Sequence, residues 1–318
     1  MPKFFFFLFF LFFVRQVLHA QCSDAGVCSF HSNDNGIFRR SGIGVDYLNG
    51  YSGEKTDVHY ESAKISGYYW FGREMNIGAV LPLNRQRGKF GTIQGIGDLL
   101  MVMDYLVNDH PGDLTINGES SLLMGTFEAT SLQIGAKFAT GAVNQNNLPL
   151  LYQNGLGSND LLLGIIYSSA HPHEYDYDLF VGGFTLQIPF GIAGNHVDSL
   201  ERGIDLLGRI AYQYPILHSF GIKGEILAIQ RLTKSTLHQY KLVNENGFPD
   251  SLETLSPYPY KVNDNILQIN FSAGATYNIQ QDIFFETGFT VPLLDKKVNY
   301  DGLKRSYTLF ASVNYHFK

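Results

Sequence analysis

The stretch Leu267-Gln268-Ile269-Asn270-Phe271-Ser272-Ala273-Gly274-Ala275-Thr276-Tyr277-Asn278 decides the fold. Its odd positions carry Leu, Ile, Phe, Ala, Ala and Tyr, while its even positions carry Gln, Asn, Ser, Gly, Thr and Asn. A helix would spread these around its circumference, whereas a strand sends alternate side chains to opposite faces, so a period of two specifies a strand with one apolar and one polar face. The C-terminal stretch repeats it: Tyr307, Leu309, Ala311, Val313, Tyr315 and Phe317 alternate with Ser306, Thr308, Phe310, Ser312, Asn314 and His316. So do Leu132, Ile134, Ala136 and Phe138 against Ser131, Gln133, Gly135 and Lys137, and Ile204, Leu206, Ile210, Tyr212 and Tyr214 against Asp205, Arg209 and Gln213. Faces of such different polarity require two different solvents.

Extended along the chain, this reading places strands near 39–50, 57–70, 73–84, 93–107, 129–140, 159–169, 178–189, 203–214, 218–231, 265–278, 281–293 and 305–317. Their number is even, as closed bacterial barrels usually require, and they are long, about 11 residues or more. The expected fold class is all-β: a transmembrane, antiparallel up-and-down β-barrel of about 12 strands over 39–318. A soluble β-sandwich or lipocalin-like barrel also alternates, but it would bury the apolar face and wet the polar one. The chain ends on an aromatic residue, Phe317, followed by Lys318, which favours the membrane barrel and makes Phe317 the expected handle for the barrel-assembly machinery.

The other end supports export. Met1, Pro2 and Lys3 precede an apolar run from Phe4 to Val14, 11 residues long, followed by Arg15 and Gln16 to Ala20. A spanning helix needs about 20 residues, so 1–20 reads as a secretory signal peptide. A lipid anchor on Cys22 would require a small residue where Gln21 stands. Residues 21–38 then form a periplasmic N-terminal segment, with Cys22 and Cys28 as candidates for a small disulfide loop in an oxidising compartment. Their spacing is not CxxC and no His lies between them, so no metal or redox site is assigned.

Loss of Lys3 and Arg15 with the signal moves the formal charge from −6 to −8, which argues against a nucleic-acid partner. Aromatic residues make up 14% and charged residues only 16% of the chain, and no apolar run of 18 residues follows the signal. Helical membrane proteins are thereby excluded. With a periplasmic N-terminus, the tight connections at Phe71-Gly72, Tyr214 to His218 and Asn278 to Gln281 fall inside and the longest, 232–264, outside. The connection 108–128 is long for its side; Asn117-Gly118 within it is a turn signal.

Three segments carry a family resemblance. Gly95-Ile-Gly-Asp98-Leu-Leu, Leu132-Gln-Ile-Gly-Ala-Lys-Phe-Ala-Thr-Gly141 and Gly155-Leu-Gly-Ser-Asn-Asp-Leu-Leu-Leu-Gly164 resemble the outer-membrane family named for the MetA pathway of phenol degradation, which is related in general character to FadL-type channels. Ala139 stands where that family usually has Pro. The resemblance implies a transporter-like barrel. On physical grounds alone, Gly95, Gly97, Gly135 and Gly164 permit bending and close backbone approach in a curved wall. A dinucleotide loop is ruled out, since no βαβ unit follows and the third glycine is missing.

Candidates for chemistry are few. His171-Pro-His173-Glu174 beside a turn is too weak a pattern to assign a metal. On the polar faces stand Asp98, Asp104, Lys137, Asp205, Arg209, Lys223 and Glu225, expected to line the lumen either as structural ion pairs or as a charged solute path. The function expected is passive passage of small solutes, hydrophobic or aromatic ones among the candidates, across the bacterial outer membrane, with lipid as the surrounding partner and no cofactor. Segment 21–38 is a candidate to occlude the lumen. A structural or adhesion barrel and an outer-membrane phospholipase are the alternatives; the latter needs a Ser, a His and an orienting group that no local constellation supplies, so an enzyme is not expected.

Overall fold

The computed structural model describes residues 40–317 apart from 54–56, 73, 111–125, 147, 174–176, 196, 244–248, 255–259, 263–266, 281 and 295–304. The signal peptide, Cys22, Cys28, Asn117-Gly118 and Lys318 therefore lie outside the described residues.

Twelve strand positions close into an antiparallel barrel. They begin with β1 (Ser41–Tyr51), β2 (Val58–Phe71) and β3 (Met75–Gly88); β4 (Gly91–Ile96) and β5 (Leu99–His110) share one position. β6 (Phe127–Phe138), β7 (Asn159–Pro172) and β8 (Tyr177–Phe190) follow, then the short β9 (Ala193–Gly194) and β10 (Asp198–Glu201). The wall resumes with β11 (Asp205–Leu217) and β12 (Phe220–Arg231). It is left again for β13 (Thr236–Val243), β14 (Pro249–Thr254) and β15 (Tyr260–Lys261), and completed by β16 (Leu267–Gln280), β17 (Ile283–Leu294) and β18 (Tyr307–Phe317). Pairing of β1 with β18, from Ser41↔Phe317 to Tyr51↔Tyr307, joins first strand to last and closes the wall, while the short β4 pairs β3 alone among the described residues.

The side chains face as period two requires. Val45 is 54% exposed while the next residue, Asp46, is 4% exposed, and Ile43, Tyr47, Leu132, Ile134, Ile210, Leu309, Val313 and Tyr315 are exposed apolar residues on the outer surface. The buried polar set, including Gln133, Gln187, Gln268, Asn270 and Ser312, faces inward. A soluble barrel would show the reverse.

Two departures have local causes. The strand expected at 93–107 is in two pieces: β4 pairs the Leu83–Gly88 end of β3 and β5 its Met75–Val80 end. Across Gly97-Asp98 the inward parity changes, from Ile93 before to Leu100, Val102 and Leu106 after, as one extra residue in a strand demands. A Cβ at Gly97 would lie 2.5 Å from Asn84 Nδ2 and 2.8 Å from Pro82 Cγ, so glycine is what lets the backbone close on β3 there. The second departure is Phe310, an aromatic residue on the polar face. It pairs Gly288, which in turn pairs Gly274. A Cβ on Gly288 would meet Phe310 Cζ at 2.7 Å, so the ring fills the space the two glycines leave on the inner wall.

Candidate functional site

At one mouth of the barrel, buried charges alternate in sign around the wall. Lys137 on β6 lies directly across from Asp160 on β7, its Nζ 3.0 Å from Asp160 Oδ2 and 3.4 Å from Asp98 Oδ2. Arg202, between β10 and β11, continues the chain at 3.0 Å to Asp160 and 3.4 Å to Asp205, and Arg231 on β12 completes it at 2.9 Å to Asp205. Three carboxylates thus meet three cations, so burial of the set leaves no net charge. Asp160 also accepts hydrogen bonds from Ser158 Oγ and Gln187 Nε2.

Asp98 does more than pair. Its carboxylate accepts the Gly141 N–H at 3.0 Å and the Leu156 N–H at 2.8 Å, which pins both ends of the 139–158 connection to the break between β4 and β5. The three segments carrying the family resemblance meet at this point. Gly155 is required here, since a Cβ on it would lie 2.5 Å from Asp98 Oδ1 and 2.8 Å from Gly141 Cα.

That connection folds back into the mouth instead of extending away from it. Asn84 Nδ2 donates to Asn154 O at 2.8 Å, Gln86 Nε2 donates to Gln153 O, and Leu148 and Tyr152 pack on Val58, Tyr60 and Ile93. Burial raises the pKa of the Tyr152 hydroxyl. A second cluster, Leu150 with Ala193, Leu200, Leu237 and Val262, ties it to the two other long connections at this end. Together they form a cap. Within it Asp198 is 4% exposed and both its oxygens lie 3.2 Å from the Leu150 N–H. Burial pushes its pKa up to about 7, the Leu150 N–H partly offsetting the rise.

Below the cap the lumen has two halves. Against β5, β7, β8, β11 and β12 the inner wall is largely apolar: Val102, Leu162, Ile166, Val181, Leu207 and Leu227 surround a cavity of about 50 Å³ that also touches Gln133, Thr185 and Arg209. Against β1, β2, β12 and β16–β18 it is polar, around a cavity of about 40 Å³. Ion pairs link the staves: Arg209–Glu225 at 2.7 Å joins neighbouring β11 and β12, and Lys223–Glu286 at 2.9 Å reaches from β12 across β16 to β17.

The seven polar residues singled out from the sequence therefore fall into two groups. Asp98, Lys137 and Asp205 belong to the mouth network; Asp104, which accepts from Gln133 Nε2 at 3.0 Å, and Arg209, Lys223 and Glu225 lie deeper in the wall. Asp160, Arg231, Glu286, Asp46 and Lys64 were missed, although period two marks Asp46 as inward between Val45 and Tyr47. Arg202 lies outside any strand, and nothing in its sequence context signals its role. Three of the described histidines have partners other than a serine hydroxyl: His171 meets Asp178 at 3.1 Å, His173 meets Tyr214 at 2.9 Å and His238 meets Glu201 at 3.1 Å.

In fold, the chain is similar to an outer-membrane channel from Pseudomonas putida F1, with 11% identity and a TM-score of 0.60 over 87% of this chain and 96% of that one. The likeness is one of fold. The NanC porin (10% identity, TM-score 0.44) and the KdgM porin (9% identity, TM-score 0.40) each match over 86% of this chain and 99% of their own. No family model matches the chain, and no curated protein does.

Proposed function

We propose that this protein is a channel of the bacterial outer membrane through which small solutes pass passively. The observation that carries the reading is the facing of a closed wall: aliphatic and aromatic side chains exposed outside, and charged, amide and hydroxyl side chains buried inside beside the apolar patch around Val102, Leu162 and Leu207. Such a wall is stable in hydrocarbon, because closure pairs the backbone groups of its long strands and mainly apolar side chains meet lipid. The capped mouth is assigned to the cell exterior and the short turns to the periplasm, with Phe317 presented to the assembly machinery from the turn end. Of the solute classes, small hydrophobic or aromatic molecules suit the apolar half of the lumen, which accords with the resemblance to the phenol-degradation family.

Liposomes containing the purified protein test this. Entry of small neutral or aromatic solutes, followed as swelling, is the expected result, with no hydrolysis of phospholipid or ester substrates. Impermeable vesicles holding folded protein would favour a structural barrel. Lipase activity lost on one Ser or His substitution would favour the enzyme.

A further inference from the structure

The polar half of the lumen holds a carboxylate with an unmet oxygen. The cavity of about 40 Å³ there is lined by Asp46, Lys64, Lys223, Glu225 and Glu286 together with hydroxyl-bearing side chains. Since one water occupies about 10–15 Å³ of such space, it has room for roughly three. Glu225 is held by Arg209 and Glu286 by Lys223. Asp46 differs: it is 4% exposed, and its Oδ2 has no hydrogen-bond partner among the described residues. Thr308, also 4% exposed, presents a second unsatisfied atom, Oγ1, to the same cavity. Polar atoms buried without a partner are costly, so both call for a mobile partner supplied from the lumen.

Charge decides the kind of partner. Lys64 stands directly across the strand pair from Asp46 and moderates its field, but with Glu225 held by Arg209 and Glu286 by Lys223, the charged acceptor left facing the cavity is Asp46 Oδ2, a carboxylate oxygen that attracts cations and repels anions. The opposite half of the lumen offers chiefly Val, Leu and Ile side chains and cannot replace an ion's hydration. We propose that Asp46 is the selectivity-determining residue of the channel: small hydrated monovalent cations travel along the β1/β16–β18 side of the lumen and are preferred there over anions of similar size. This rests on the channel reading and adds to it a route, a residue and a solute class.

The test uses the full-length protein in planar bilayers under a tenfold KCl gradient, with folding of each variant verified by heat-modifiable migration. The wild type is expected to show a cation-to-chloride permeability ratio above one. Asp46→Asn should lower that ratio about fivefold, the Boltzmann equivalent of the ~1 kcal/mol that a unit charge exerts at about 4 Å in water. Asp46→Glu should retain it, and Lys64→Gln should raise it. A wild type that prefers chloride, or an unchanged ratio in Asp46→Asn with current intact, overturns the proposal. If Asp46→Asn fails to fold, Lys64→Gln decides from the other side, an unchanged ratio again overturning it. Absence of any current from folded wild type is a different result: it removes the channel reading itself.

Discussion

Lys137 Nζ sits 3.0 Å from Asp160 Oδ2, on directly paired residues of adjacent strands, and both side chains are almost wholly buried. A buried pair of this kind adds little net stability over an apolar substitute, yet removing one partner leaves the other charge without compensation. Here Asp98 and Asp160 share the same ammonium, and while Asp160 keeps Arg202 at 3.0 Å, loss of Lys137 takes from buried Asp98 the cation it pairs with.

Lys137→Met should therefore cost about 3–5 kcal/mol, far more than loss of an exposed pair such as Arg85–Glu61. Urea unfolding of the refolded barrel in lipid, comparing Lys137→Met with Arg85→Met, checks this. Equal midpoints would show that the mouth network does not hold the wall.

Facing is tested on one strand. Phe271 lies on the apolar outer face, whereas Ser272 faces inward and shares a hydrogen bond with Thr290 at 2.8 Å. Phe271→Arg should destabilise the barrel by about 2–4 kcal/mol if it sits near the bilayer midplane. Ser272→Arg should be tolerated far better, because the polar cavity hydrates or pairs the charge. Folding yield into lipid, read for the two variants side by side, should rank them in that order.

Gly155→Ala is expected to loosen the cap from the wall. Its Cβ would enter the space of Asp98 Oδ1 and Gly141 Cα, so the carboxylate cannot keep both the Gly141 and Leu156 amides. The variant should form a heat-modifiable barrel but expose the 139–158 connection to protease. Protection equal to wild type would count against Asp98 as the anchor.

Asp198 makes the cap sensitive to pH, with a definite sign. Its carboxyl is raised from 3.8 to about 7 by burial, so the closed cap holds the proton more tightly than an open cap whose Asp198 meets water. Closure is then most stable in acid, weakens as pH rises from about 4 to about 7, and is level above that. Channels should be open for a larger fraction of time at about pH 8 than at about pH 5. Asp198→Asn keeps an acceptor for Leu150 N–H but cannot ionise, and should abolish the difference; a persistent difference would place the titrating group elsewhere.

The wall was legible in the sequence because its cause is local. Lipid on one side and packed polar side chains on the other impose a period of two, and that period alone located the strands, their antiparallel meander and the inward side of Asp98, Asp205 or Lys223. Even the anomaly at Phe310 was visible there, though not its reason, since Gly274 and Gly288 lie on two other strands. The break at Gly97-Asp98 was hidden, because a single-residue change of parity inside a long apolar-polar run leaves the composition of the segment unchanged.

What only the tertiary structure decided is which charge meets which. Asp98 reaches Gly141 across 43 residues, Arg202 reaches Asp160 across 42 and Lys223 reaches Glu286 across 63. Closing the sheet into a cylinder brings inward side chains of different strands to one depth, and folding the long connections into the mouth adds partners, such as Arg202, from outside any periodic segment. Pairing at that range follows from strand register and tilt, to which a local alternation of side chains is blind.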